Sequence, residues 1–376
     1  MRRAAITLFF SVAALTALGM VMLVSASTGH KEATYLMMQP LWCVLGLIAC
    51  WAAAALDYRI FKRHPWLTWA LFLSVLGLLV LVLIPGIGFR IKGSSRWLKL
   101  GPFTMQPSEL AKIALVLVLA LYAERYQRWM PTFWRGMIIP CAIIGLVLGL
   151  IFKEPDVGTV ILLGSVSAVM LLIAGIPWRF FVPPVVAGIL GLAFFLSHNA
   201  MRSERIYSWL HIEETKLGKG LQTYQAMVAL GSGGPTGVGL GDGRQKLGFI
   251  PEHHTDFIFS IIGEELGLIA TLGVILGFAL IAGCGLYIAL HASDKFGMLL
   301  AAGITFLIVF QAVINIGVVT GSLPNKGISL PFLSYGGSNL VVMLASVGML
   351  INVARHAHEP NKNPFALANE LAAEFS

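Results

Sequence analysis

Apolar residues in this chain come in long unbroken runs rather than in alternation with polar ones. Ten runs stand out, at about 5–26, 39–56, 66–86, 108–123, 137–152, 157–175, 180–197, 261–290, 298–321 and 331–354. A helix needs roughly 17–25 such residues to cross a ~30 Å hydrocarbon layer. The runs are helix-long and lack the period-two pattern of a membrane strand, which excludes a β-barrel. The pattern predicts an all-α, polytopic integral membrane protein of about ten transmembrane helices, forming one domain over 1–356. A short tail follows at 357–376.

Composition agrees: the 376 residues are 57% hydrophobic and 12% charged, and the mean hydropathy of +0.82 is not that of a soluble core. The opening "MRRAAITLFFSVAALTALGMVMLVSAS" has the look of a signal peptide cut near Ala26. Its apolar stretch exceeds the ~7–15 residues of such segments, so it is read as a retained first span. Cys43, Cys50, Cys141 and Cys284 all fall in apolar runs. They are expected to serve helix packing, with no disulfide or zinc site.

Basic residues set the expected orientation. With the N-terminus inside, the inside loops hold Arg2 and Arg3; Arg59, Lys62 and Arg63; Arg125, Arg128 and Arg135; Arg179; Lys295; and Arg355. Both termini are then cytoplasmic, and the net charge of +8 reflects topology rather than nucleic-acid binding. One outer loop departs from the rule: "GFRIKGSSRWLKLG" carries Arg90, Lys92, Arg96 and Lys99. Apart from tolerated noise, this reads as an anion-binding surface at the outer leaflet.

The largest hydrophilic stretch, about 198–256 between spans seven and eight, is also outside by this count. Its "GSGGPTGVGLGDGRQK" is not a phosphate loop, because no Gly-Lys-Ser/Thr follows and no strand precedes it. The glycines are expected to let backbone lie flat near the membrane surface or close to a ligand. The stretch ends in "PEHHTDFIF", where Glu252, His253, His254 and Asp256 crowd the start of an apolar run. Adjacent histidines point in different directions and no third ligand is suitably spaced, so zinc is not favoured.

Span four opens with "QPSELAK". Pro107 suits a first helical position, Glu109 in the first turn is favoured by the helix dipole, and Lys112 can reach Glu109 on the same face. A structural pair explains this as well as a catalytic one, although charges near a membrane boundary are costly enough to be functional candidates. Other outer features are "KEPDVGT", with Lys153, Glu154 and Asp156, and "LPNKGISLPFLSYGGSN", with Lys326, Ser334 and Ser338. Backbone N–H groups in the second could bind an anion or act as ordinary caps. Gln311 and Asn315, four apart in span nine, are expected to make interhelical hydrogen bonds. Charge thus gathers at the outer interface. A transporter would place polar groups near the midplane, so the distribution favours an enzyme acting on a lipid-linked, extracytoplasmic substrate.

The segments "GSSRWLKLGPFTMQPSELAK", "PDVGT", "GSGGPTGVGLG", "PEHHTDFIFSIIGEELG" and "LPFLSYGGS" resemble the signatures of the SEDS family (shape, elongation, division and sporulation) over essentially the whole chain. "GDGRQKLGF" running directly into Pro-Glu-x-His-Thr-Asp is similar to the division-type members more than to the elongation-type ones. The resemblance implies a peptidoglycan glycosyltransferase that polymerises lipid II at the outer face of the cytoplasmic membrane during septal wall synthesis. It also implies a class B penicillin-binding transpeptidase as partner, beside other division membrane proteins. The family's essential aspartate maps onto Asp256, and its conserved glutamate and lysine onto Glu109 and Lys112.

That reaction joins a sugar 4-hydroxyl to an anomeric carbon and expels undecaprenyl pyrophosphate. It needs a base for the hydroxyl proton, and Asp256 is the candidate. It also needs positive charge for the leaving group. Arg90, Lys92, Arg96, Lys99, Lys112, Arg244 and Lys246 are the candidates, with a divalent cation, Mg²⁺ or Mn²⁺, as a possible cofactor and no organic one. Helix capping is the bland alternative for Asp256. An elongation-type polymerase, a lipid II flippase and a recruiting scaffold are the competing functions; a scaffold leaves the outer charges unexplained.

Overall fold

The computed structural model describes residues 1–26, 33–91, 94–101, 103–197, 200–218, 220–246 and 255–357. Long helices dominate: α1 (Arg2–Ala26), α2 (Ala33–Ala55), the short α3 (Ile60–Arg63), α4 (Pro65–Leu83), α5 (Pro107–Arg125), α6 (Ile139–Lys153), α7 (Val157–Ala174) and α8 (Trp178–Ser197). After α9 (Ala200–Leu210) and α10 (Leu221–Ser232) come α11 (Ile258–Leu290), α12 (Lys295–Val319) and α13 (Gly337–His356). Among the described residues, eight helical segments are long and apolar enough to cross a membrane. α5 carries Glu109, Lys112, Glu124 and Arg125, and α8 has only a shorter apolar helical stretch, Trp178–Gly191. Every apolar run of the sequence therefore lies on a helix, and this is a multi-pass membrane protein. The tail from 358 lies outside the described residues.

α5 is the central rod. Its residues are buried almost without break from Pro107 to Ala123, against α4, α6, α7, α12 and α13. As expected, Pro107 is its first residue and Glu109 lies in its first turn. α13 packs on α2 so closely that a Cβ on Gly348 would lie 2.2 Å from the Cys50 carbonyl oxygen, the small-residue contact that brings membrane helices together. All four cysteines are free.

Charged contacts separate two ends. Lys62 Nζ bridges Glu124 at 2.5 Å and Asp294 at 2.9 Å, Arg59 donates to Ser293, and Asn352 receives the Tyr58 N–H. The basic loops assigned to one side thus meet at one end of the bundle. The candidate site lies at the other end.

Three features depart from the sequence reading. The cationic loop before α5 is a small antiparallel meander of β1 (Phe89–Ile91), β2 (Ser94–Leu100) and β3 (Phe103–Met105). The stretch at 198–256 holds α9 and α10, and Trp209 on α9 donates from Nε1 to the Gly321 carbonyl. The third departure is in the eighth apolar run, which is two helices, not one. α11 begins at Ile258 and breaks at Gly267, whose φ of 76° and ψ of −169° no helix contains.

The break explains the glycine-rich segment before it. Interrupting a helix orphans carbonyls on one side and N–H groups on the other, and buried backbone groups must be paired. Here Val238 and Gly239 donate to the carbonyls of Glu264 and Glu265, while Leu268 and Ile269 donate to those of Gly234 and Pro235. Backbones this close leave no room for side chains. A Cβ on Gly267 would lie 2.3 Å from the Gly237 nitrogen, and one on Gly237 would lie 2.1 Å from the Glu265 carbonyl oxygen. These glycines serve a backbone-to-backbone interlock rather than an anion.

Candidate active site

At the start of α5, Lys112 Nζ donates to Glu109 Oε1 at 2.9 Å, to Glu109 Oε2 at 2.8 Å and to Gln311 Oε1 on α12 at 2.9 Å. Lys112 is 2% exposed and Glu109 6%. An ammonium has three donors, and all three are used within the protein. Lys112 is therefore committed to this pair and not free to hold an anion.

Gln311 passes the network on. Its Nε2 donates to the Ser329 carbonyl at 2.9 Å and to Asn339 Oδ1 on α13 at 3.3 Å, and Asn339 donates to Ser329 Oγ at 2.7 Å. One turn further along α12, Asn315 Nδ2 donates to the carbonyls of Ile328 and Asp256, both at 2.7 Å. Gln311 meets the interhelical expectation; the Asn315 bonds go to loop backbone instead. The strap from Lys326 to Ser329 is thus stitched to α12 twice and to α13 once. It also lies against the first turn of α7, where a Cβ on Gly158 would fall 2.7 Å from Ile328.

Asp256 stands where this strap meets α11. It is half-buried, one residue before the N-cap position, which Phe257 fills without any side-chain cap bond. Phe257, Ile258 and Phe259 behind it are buried in the core. Its Oδ2 lies beside Gly327, at 2.9 Å from where a Cβ would stand. Lys326 adjoins on the strap. Glu252, His253 and His254 lie outside the described residues.

A second group joins the β-meander to α7. Arg96 donates from Nε to the Glu154 carbonyl at 2.7 Å and from Nη2 to the Pro155 carbonyl at 2.6 Å, with Nη1 4.0 Å from Asp156. Asp156 caps α7, accepting from the Thr159 N–H and hydroxyl. Gln106 links Asp156 to Ser108 at the head of α5. Glu154 is fully buried, and neither carboxyl oxygen has a hydrogen-bond partner among the described residues. Burial, reinforced by the nearby Asp156 charge and opposed by Arg96, pushes its pKa up to about 8.

Lys246 belongs to a third group, which the sequence reading missed. Its Nζ reaches Glu265 Oε1 at 2.6 Å, the Gly241 carbonyl at 2.7 Å and the Ser25 carbonyl at 2.9 Å. Ser25 Oγ in turn donates to Glu265 Oε2 at 2.5 Å. Glu264 next door accepts the backbone N–H groups of Arg244 and Gln245. The two carboxylates of "GEELG" inside an apolar run were the signal available in the sequence. Assigning Lys246 to a pyrophosphate conflicts with this enclosure, because the ammonium is already surrounded by acceptors.

Among the other candidates, Lys99 and Arg244 have exposed side chains. Ser334 closes a turn, accepting the Leu330 N–H at 2.7 Å through its Oγ, and Ser338 is buried in the first turn of α13. Arg90 is placed in β1 by its backbone alone, and Lys92 lies outside the described residues. No group of three His, Cys, Asp or Glu side chains able to hold a metal occurs among the described residues.

An aspartate thus faces a pinned strap, and a buried Glu–Lys pair is tied to the same helix, α12. A family model described as "Cell cycle protein", FtsW/RodA/SpoVE, matches residues 6–359. The chain belongs to the FtsW/RodA/SpoVE family. A probable peptidoglycan glycosyltransferase FtsW of Trichlorobacter lovleyi is 40% identical over 355 residues, covering 93% of this chain and 92% of the relative. The stage V sporulation protein E of Bacillus subtilis is 41% identical over 321 residues, covering 85% and 86%. Among solved structures, one of a peptidoglycan synthase complex that coordinates polymerization and crosslinking aligns with TM-score 0.77 and 29% identity, over 94% of this chain and 98% of that one. The Thermus thermophilus rod shape determining protein RodA aligns with TM-score 0.70 and 29% identity, over 94% and 97%. As an FtsW/RodA/SpoVE protein, the chain is a peptidoglycan glycosyltransferase.

Proposed function

We propose that this glycosyltransferase polymerises lipid II in septal wall synthesis, with Asp256 as the general base. The observation that carries the reading is the setting of Asp256: a half-buried carboxylate with apolar core behind it and a glycine beside its oxygen. The acceptor sugar's 4-hydroxyl would give its proton to that carboxylate as its oxygen attacks the anomeric carbon of the other substrate. The bond from that carbon to the pyrophosphate oxygen breaks, with inversion. The leaving group carries away the electron pair and needs only charge stabilisation. Lys99 on β2 and Arg244 after α10, whose side chains are exposed among the described residues, are the cations assigned to meet it.

The buried Glu109–Lys112 pair serves here as a support, holding Gln311 and through it the strap. A divalent cation would come as a companion of the substrate. Both Glu109 oxygens are taken by Lys112 and Asp256 is kept for the proton, so phosphate oxygens and water would supply its shell, as is usual for much of the shell of Mg²⁺. Such a cation would supply charge neutralisation at the pyrophosphate. We place the site on the outer face of the inner membrane, at the septum, with a class B transpeptidase as partner. The basic end of the bundle, holding Lys62, Arg59 and Arg63, supports that orientation.

The test is polymerisation of purified lipid II by the purified chain in complex with its transpeptidase, wild type beside Asp256→Asn. Removal of a general base is expected to cost about 10²–10⁴-fold, with fold and complex intact. Equal strand synthesis by both proteins would remove Asp256 from the reaction. Lipid II crossing vesicle membranes without any polymer would favour the flippase.

A further inference from the structure

The backbone of Asp256 is held, and its carboxylate given room, by two residues outside the reacting groups. Asn315 is 1% exposed and donates both of its hydrogens, one to the Asp256 carbonyl and one to the Ile328 carbonyl. Its Oδ1 accepts nothing among the described residues. A buried amide oxygen left unpaired is costly, so those two donated bonds are what the side chain contributes here. They join a residue 59 positions away to one 13 positions away, across the junction where Asp256 faces the strap.

Gly327 works from the other side. Its backbone is not in the left-handed region, so the chain path does not require glycine. Its surface is exposed, so core packing does not require it either. What a side chain would meet is Asp256: a Cβ would stand 2.9 Å from Oδ2. We propose that Asn315 and Gly327 are positioning residues for Asp256. Asn315 fixes the backbone from which the carboxylate projects, and Gly327 keeps clear the space that the carboxylate occupies.

This rests on Asp256 as the base. The two residues act through it, and neither touches the reacting atoms. A general base works only within hydrogen-bond reach of its proton, and a displacement of about 1 Å can cost on the order of 100-fold in rate. Displacing it should lower kcat and leave substrate binding alone.

The experiment uses the full chain in complex with its transpeptidase and measures strand synthesis against lipid II concentration. The variants are Asn315→Leu, which keeps the size and removes both donors, Gly327→Ala, and Asp256→Asn. We expect Asn315→Leu and Gly327→Ala to lose roughly 10- to 100-fold in kcat, with KM within about twofold of wild type. Gly327→Ala adds one exposed methyl and should keep the wild-type melting temperature, so it remains informative where Asn315→Leu folds poorly. A risen KM with kcat retained in Gly327→Ala would make the strap a binding surface and overturn the proposal. So would wild-type kcat in Gly327→Ala beside an inactive Asp256→Asn, with the base reading left standing. Wild-type kcat in Asp256→Asn itself would remove the base reading and this proposal with it.

Discussion

Lys112→Met is the most direct probe of the α5–α12 contact. The substitution keeps an unbranched side chain of similar length and removes the charge and all three donors. What remains is a Glu109 carboxylate, 8% exposed at its side chain, with no cation, and a Gln311 Oε1 with no donor. Removing one partner of a buried ion pair costs about 3–5 kcal/mol, since the other charge stays buried and unpaired. Glu109→Leu is expected to be equally harmful, because it strands the ammonium instead. Glu109→Leu/Lys112→Met removes both charges. Its remaining penalty is the unsatisfied Gln311 oxygen, about 1–3 kcal/mol.

The double variant should therefore be more stable than the sum of the single effects by at least about 2 kcal/mol, a coupling that a double-mutant cycle isolates. The assay is thermal unfolding of the detergent-purified chain at one fixed scan rate, since membrane proteins of this size often unfold irreversibly. The singles should melt on the order of 5–10 °C below wild type, and the double should recover much of the loss. Additive losses in melting temperature, with the double variant falling by the sum of the singles, would refute the reasoning, because the two charges would then not be bearing on each other.

Glu154 carries a pH prediction. Its pKa is raised above that of an unfolded glutamate, so the native state binds more protons than the unfolded one between about pH 4.5 and 8. Stability therefore falls as pH rises through that window and levels off above it. Glu154→Gln should flatten the dependence and raise the melting temperature at pH 8, and an unchanged pH profile would show that the carboxyl finds a partner. Gly267→Ala should be among the most damaging single-methyl changes in the chain, costing several kcal/mol, because it combines positive φ with backbone 2.3 Å away. Its expression and melting temperature should fall far below those of Gly273→Ala, where a Cβ meets nothing within 4 Å.

The membrane made most of the fold legible, because a crossing helix must be long and apolar; eight helical segments among the described residues meet that rule, while α5 and α8 fall short of it through charge and length. Single-residue geometry was not legible. Gly267 breaks α11 in a stretch whose hydropathy does not register one glycine, and the short strands of the 89–105 meander are too brief for any periodicity. For the site, the sequence marked which polar residues sit in apolar surroundings and so must find partners. It could not say which partners, because those are set by tertiary contact. Asn315 was legible as a donor in search of an acceptor, but its acceptors are backbone carbonyls, which carry no signature in the sequence. Lys246 was legible as a cation and Glu265 as a carboxylate in an apolar run, while their pairing with each other and with Ser25 was not.

The needy residues do, however, share a location. Lys112 is the sixth residue of α5, about 9 Å from its start at ~1.5 Å per residue. Gln311 is eight residues before the end of α12, about 12 Å in. The Glu109–Lys112–Gln311 network and the Asn315–Asp256 contact, joined through the strap, therefore run down from one membrane face and stop about two turns in. Toward the start of α12 beyond Gln311, the one buried hydroxyl, Thr305, is satisfied by its own helix through the Ala301 carbonyl. A carrier has to offer its cargo polar partners through the midplane to the far side. A polymerase needs them where a lipid-linked sugar meets the membrane surface, and that is the depth at which this chain's network ends.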